Sequence, residues 1–384
     1  MALCKELETY IRNSQEDLKQ LIRDLCAIPA PSHHEEKRAA FCKKWFEENG
    51  GSGVEIDEAL NVICPWHDTG DNDLVVIMAH TDTVFPDMEP MPFVEKDGMM
   101  YCPGVTDDTA NLAVLMICAR YLMQRDIPTE KGFLFVANSC EEGLGNLKGS
   151  RAVTAKYGKR MKEFITLDGT DLFSIVTRAV GSHRYRIEAR TEGGHSFRDF
   201  GHRNAIQVLS SLVDALYQLT VPVEGDSHTT YNVGAFSGGT SVNTIAQSAE
   251  MLYEYRSDDS RCLAKMKAAF EETVARFTPA DATLSVEMIG ERPCAGDVDE
   301  KAWEDLMARG GSAVRAVTGR EAVFTAGSTD CNIPLSCGIP SICLGVCVGG
   351  KCHTREEWLD TNSLADGCRL FMEFFRHYCG DGIA

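Results

Sequence analysis

The sequence predicts an α/β protein: a larger domain with a mixed sheet covered by helices, interrupted by a smaller α+β domain. Three observations carry this. Short continuous apolar runs alternate with helical patterns over residues 1–181 and again over 295–384. Between them, over 182–294, the runs switch to apolar/polar alternation. And 384 residues suffice for two cores of ordinary size.

The elements follow in order. Leu7, Ile11, Leu18, Leu21, Ile22 and Leu25 share one face of an N-terminal helix, which reads as a domain element and not a secretory leader. Ser32 and Glu35 have the spacing of a capping box for a helix through Phe46, stopped by Gly50 and Gly51. Residues 74–79, 132–138 and 164–167 are apolar runs suited to strands buried on both faces, with a helix over 111–122. From His183 to Arg190 the chain alternates, so one face of that strand is wet. A helix (204–219), strands (231–236, 249–255), a second helix (260–277) and a last strand (283–289) complete a β-α-β-β-α-β unit. The α/β pattern then resumes with a helix over 300–317, strands over 322–324 and 341–344, and a helix over 363–377.

Composition excludes several function classes. The net charge of −19 repels phosphate backbones and acidic membranes, so neither nucleic acid nor membrane is an expected partner. No run is long enough to cross a bilayer, and the expected compartment is the cytoplasm. The 16 cysteines contain no C-x-x-C pair and are expected to be reduced, mostly buried small hydrophobes.

Chemistry-bearing residues gather at the ends of the apolar runs. His80-Thr81-Asp82 ends the first; Asp82, two residues on, is positioned to accept the far ring N–H of His80 and make it a better metal ligand. Gly104-Val105-Thr106-Asp107-Asp108 is a glycine-led turn into a helix. Asp107 is the choice for a carboxylate bridging two cations, with Asp108 the neighbouring alternative or a helix cap. Glu141 and Glu142 follow another buried strand, where an adjacent acid pair is hard to explain as core. Glu142 is assigned to metal and Glu141 to proton transfer. Asp168 ends a further strand, and a glycine loop brings in His353. Taken singly, each is an ordinary cap, loop or strand-end residue. Together they fit the rule that open α/β sheets bind ligands beyond the carboxyl ends of their strands. Two imidazoles and three carboxylates suit two divalent ions, Zn²⁺ first, with Mn²⁺ or Co²⁺ tolerated.

In order and spacing these motifs resemble the co-catalytic dinuclear zinc metallopeptidases that include peptidase T, carnosinase-type dipeptidases, aminoacylase and glutamate carboxypeptidase. The resemblance covers nearly the whole chain. It implies a zinc-peptidase-type catalytic domain (1–181 and 295–384) and an inserted lid and dimerisation domain (182–294). It implies that His80 and Asp168 hold one ion, Glu142 and His353 the other, with Asp107 between, and that the 107–108 peptide is cis. It further implies that His195, in Gly193-Gly194-His195-Ser196, stabilises the oxyanion in a partner subunit. Asn243 and Arg292 would contact substrate, and Ser328 and Asp330 approach it. Thr109-Ala110-Asn111 departs from the Lys-x-Gly common at that point, which is expected to affect only local packing. An Asp at 168 tilts the substrate towards short peptides with a free amino end, as for a peptidase T-like aminopeptidase. The alternatives are an N-acyl amino acid deacylase or carboxypeptidase, and a non-catalytic metal- or peptide-binding protein.

Overall fold

A computed structural model describes residues 3–277 and 279–379. The chain forms two compact units, Met1–Ala179 with Gly296–Ala384, and Val180–Ala295.

The first unit is built on an eight-stranded sheet. Its centre is parallel: Gly132–Asn138, Leu74–His80, Met161–Leu167 and Ser341–Leu344 lie side by side in that order. Val62–Trp66 and Ser174–Ala179 flank them antiparallel, and Val323–Gly327 closes one edge. The two strands Leu74–His80 and Gly132–Asn138 are buried at every position, which is why they read as unbroken apolar runs. Helix Asn111–Gln124 is almost wholly buried, and Leu364–Phe375 also packs into this core. At about 1.5–3 kcal/mol per fully buried large aliphatic or aromatic side chain, this core is the main source of stability. Because four neighbouring strands run the same way, their carboxyl ends share one edge.

Two expectations need correction. The N-terminal helical pattern is two helices, Lys5–Asn13 and Gln15–Cys26, broken at Ser14. Ser32 and Glu35 do not form a capping box. The helix starts at Glu36 with no side-chain cap. Ser32 Oγ donates to Asp82 Oδ2 at 2.6 Å, and Glu35 Oε1 accepts from the main-chain N–H of Cys140 at 3.0 Å. The capping residues are used to tie loops together.

The second unit is a four-stranded antiparallel sheet, Thr229–Gly238, Ser248–Ser257, Gly181–Arg190 and Thr283–Arg292 in spatial order. Tyr185, Ile187, Met251, Tyr253 and Tyr255 point into a core with Leu209, Leu212 and Phe270 from helices Ala205–Tyr217 and Ser260–Arg276. The opposite face carries cross-strand ion pairs such as Arg184–Glu254 (3.4 Å) and Arg186–Glu287 (3.1 Å). Among the described residues no helix is long and apolar enough to cross a membrane. All cysteines are free, and all but Cys4, Cys337 and Cys352 are buried.

Candidate metal centre

Five of the predicted residues meet at the carboxyl edge of the parallel strands. His80 is the last residue of its strand and 1% exposed. Asp107 sits in the turn Val105–Ala110, where the chain leaves helical geometry at Asp107 and Asp108, and their shared peptide is cis. Gly104 opens that turn with φ +76°, and a Cβ there would lie 2.5 Å from Thr83 Cγ2, so glycine is required. His353 comes from the loop after Val348–Gly350 and adopts φ 63°.

The central relationship is that the two oxygens of Asp107 face different histidines. Oδ1 is 3.0 Å from His80 Nε2; Oδ2 is 3.1 Å from His353 Nε2. Asp168 Oδ1 lies 3.9 Å from His80 Nε2, and Glu142 Oε1 lies 3.2 Å from His353 Nε2. Donor atoms of His80, Asp107 and Glu142 all fall within 4.8 Å of one another, as do those of His80, Glu141 and Asp168. Glu141 thus stands beside the ligand candidates as well as next to Glu142.

Asp82 plays a larger part than orienting His80. The nearest acceptor to His80 Nδ1 is the main-chain oxygen of Asp82 at 3.0 Å; its carboxylate Oδ1 is at 3.4 Å. The carboxylate instead gathers the main-chain N–H groups of Glu141 and Glu142, each at 3.0 Å, and the Ser32 hydroxyl. It therefore fixes the acid pair relative to His80.

The electrostatics call for cations. Asp82, Asp108, Glu142 and Asp330 are each buried, and among the described residues no lysine or arginine pairs with them. In the protein alone, protons take the place of the missing charge. The His353 imidazole is pushed up to about 10 by its hydrogen bonds to Asp107 and Glu142. Burial pulls His80 down, but Asp108, Asp107, Asp82 and Asp168 outweigh it and hold it well above its usual value. Burial, with the Asp107 charge, raises Asp168; burial raises Glu142 to about 7. Against burial, the two histidines hold Asp107 below the usual carboxylate range. Glu142 Oε1 is buried, with His353 Nε2 as its close polar neighbour at 3.2 Å. Two donors about 2.1 Å from a tetrahedral ion stand roughly 3.4 Å apart. The 3.0–3.2 Å separations here are close to that spacing. The donor set fits two divalent ions.

A family comparison decides the class. Residues 76–377 match the model of Peptidase family M20/M25/M40. The chain belongs to that family. It is a hydrolase of the metallopeptidase type. Among relatives of this M20 chain, YqjE of Bacillus subtilis (strain 168) is 26% identical over 371 residues, covering 91% of this chain and 95% of that protein. The succinyl-diaminopimelate desuccinylase of Corynebacterium glutamicum is 23% identical, covering 92% and 95%. A crystal structure of a tripeptidase from Staphylococcus aureus shares the fold at TM-score 0.75 and 22% identity, covering 94% of this chain and 98% of that one.

The remaining predicted residues lie elsewhere. His195 and Asn243 belong to the second unit. His195 pairs with Thr244 in a two-stranded ribbon, and Ser196 N donates to Asn243 O at 3.0 Å. Arg292 ends the strand Thr283–Arg292 and is buried. In the first unit Ser328 follows the edge strand Val323–Gly327. Asp330 has no exposed surface; Oδ2 accepts from Asn138 Nδ2 at 2.6 Å, and Oδ1 is buried without a partner.

Sequence reasoning missed the roles of three residues. Glu357 is fully buried and accepts from the main-chain N–H groups of Gly104, Thr106 and Asp107. Its signal was available: an acid directly before the apolar pair Trp358-Leu359, like the acid pair after residues 132–138. Asp108 is neither cap nor bridge; its carboxylate accepts from His80 N and Asn111 Nδ2. Asn111, expected to matter only for local packing, is buried among three loops.

Proposed function

We propose that the protein hydrolyses the amide bond of short peptides with a free amino end, as a di- or tripeptide aminopeptidase. The observation that carries this is the single carboxylate of Asp107 facing His80 with one oxygen and His353 with the other, beside an acid pair. His80 and Asp168 would hold one ion, Glu142 and His353 a second, with Asp107 shared; zinc suits the nitrogen and oxygen donors. Bound ions would supply Lewis acidity and lower the pKa of a nearby water. Glu141 accepts a proton from the attacking water at a carboxylate oxygen and returns it to the leaving nitrogen. Asp82 holds Glu141 in place through its main-chain N–H. His195 donates to the oxyanion in the site of a partner subunit, Asn243 and Ser328 contact the substrate, and the second unit serves as lid and dimerisation domain. Asp330, with no exposed surface, is tied to Asn138 at the end of the strand that leads to Glu141.

A second reading, hydrolysis of an N-acyl amino acid or a carboxypeptidase activity, is favoured by the desuccinylase relative, which matches nearly end to end. In that reading Arg292 takes the substrate carboxylate. Rates on Ala-Ala and Ala-Ala-Ala against N-acetyl and N-succinyl amino acids, on metal-quantified protein, separate the two. Cleavage of blocked substrates alone would discard the aminopeptidase reading. Mass measurement in solution tests the dimer.

A further inference from the structure

Asn111 is the first residue of helix Asn111–Gln124 and is 1% exposed. Its Nδ2 donates to Asp108 Oδ1 at 2.7 Å and to Gly169 O at 3.0 Å. Its Oδ1 accepts from Val346 N at 3.0 Å. Asp108, also 1% exposed, extends the link, since its Oδ2 accepts from His80 N at 2.8 Å. Four segments are joined in this way, and each carries a ligand candidate. His80 is bonded through its own backbone, Asp108 follows Asp107, Gly169 follows Asp168, and Val346 leads into strand Val348–Gly350, whose following loop carries His353.

We propose that Asn111, acting through Asp108, is a positioning residue of the metal centre, fixing the separation of the four ligand-bearing segments before any cation binds. This rests on the metal-centre reading above. The amide has two N–H donors and one oxygen, and each is spent on a different segment. Aspartate at 111 would supply no donor and would face Asp108 with like charge. Leucine would leave the Val346 N–H and the Gly169 carbonyl unpaired in a buried place. Serine is too short to reach both. Metal donors must sit within a few tenths of an ångström of their ideal distances, so groups behind the ligands govern affinity.

The test strips the full chain with a chelator and titrates it with Zn²⁺ against a chromophoric competitor. Wild type is compared with Asn111→Asp, Asn111→Ser and Met116→Ala. Met116 is buried in the same helix and supplies a control for lost stability alone. Wild type is expected to bind two ions. Both Asn111 variants should bind at least one of them about 10- to 100-fold more weakly. Met116→Ala, with an equal or larger drop in Tm, should bind as wild type does. Unchanged affinity in the Asn111 variants overturns the proposal while leaving the metal centre standing, as does an equal loss in Met116→Ala. A wild type that binds no zinc overturns both. Hydrogen exchange on stripped wild type needs no variant: the amides of His80 and Val346 should already be slow. Fast exchange there, slowed only by Zn²⁺, also overturns the proposal.

Discussion

The main-chain N–H of Asp107 donates to Glu357 Oε1 at 2.9 Å across 250 residues of sequence. The same oxygen accepts from Thr106 N at 2.8 Å, and Oε2 accepts from Gly104 N at 2.7 Å. One buried carboxylate thus holds the turn that presents Asp107, and it comes from four residues beyond His353. Burial pushes that carboxyl up to about 7 even though the three N–H groups favour its charge. Removing it leaves three buried donors unpaired, each worth about 1–3 kcal/mol. Glu357→Ala is therefore expected to cost about 3 kcal/mol or more in urea unfolding of the metal-free protein. Glu357→Gln, which retains one acceptor oxygen, should cost less. Equal stabilities for the two variants would count against the clamp.

Most of the candidate metal centre was legible because it is built from strand ends. A fully buried strand announces itself as an apolar run, and the next polar residue must stand at the sheet edge. His80, Glu141, Glu142 and Asp168 were found in that way. The supporting layer was not legible. Ser32 and Glu35 have the spacing of a helix cap, and local spacing cannot reveal that their partners are Asp82 and Cys140. Asn111 is an unremarkable first residue of a helix until the fold brings Gly169 and Val346 beside it. Residues that act by hydrogen bonding to distant backbone leave no pattern along the chain.

Glu141 has two possible uses in this geometry, since its carboxylate falls within 4.8 Å of donor atoms of His80 and Asp168. As the proton carrier, Glu141→Ala should retain two ions per chain and lose about 10²- to 10⁴-fold in kcat. Metal analysis beside steady-state kinetics reads both. Loss of one ion would make Glu141 a ligand, and turnover near wild type would remove it from the chemistry.

Asp330 gives the metal-free protein a pH dependence of known sign. Burial, reinforced by the Glu141 charge, raises its carboxyl to about 8. In the unfolded chain it titrates near 3.9. Between about pH 4 and pH 8 the folded state therefore holds a proton that the unfolded state has released, and stability falls as pH rises. The slope from this group is at most about 1.4 kcal/mol per pH unit. Asp330→Asn can still offer an oxygen to Asn138 and should flatten the dependence, so the variant gains most over wild type near pH 8. The check is Tm of stripped wild type and variant from pH 5 to pH 8. Parallel curves would show that Asp330 is ionised in the fold.

His195 is held by its own loop in a way that fixes its proton. Nδ1 lies 3.2 Å from Phe197 N and 3.4 Å from Arg198 N, and both of these groups are donors. A ring nitrogen that accepts from backbone N–H carries no proton in the neutral imidazole, so the hydrogen sits on Nε2. The His195 N–H in turn donates to Asp199 Oδ2 at 2.6 Å, which closes the turn. An oxyanion donor needs this tautomer, preorganised before charge develops. Long-range ¹H–¹⁵N spectra, with His195→Gln to identify the signals, are expected to show the Nε2–H form. Phe197→Pro deletes one donor to Nδ1. It should lower kcat with little change in KM, whereas Phe197→Ala, which keeps the N–H of an 87% exposed residue, should leave both unchanged. A dominant Nδ1–H signal in wild type would refute the assignment, because the ring would then meet both backbone donors with a hydrogen of its own.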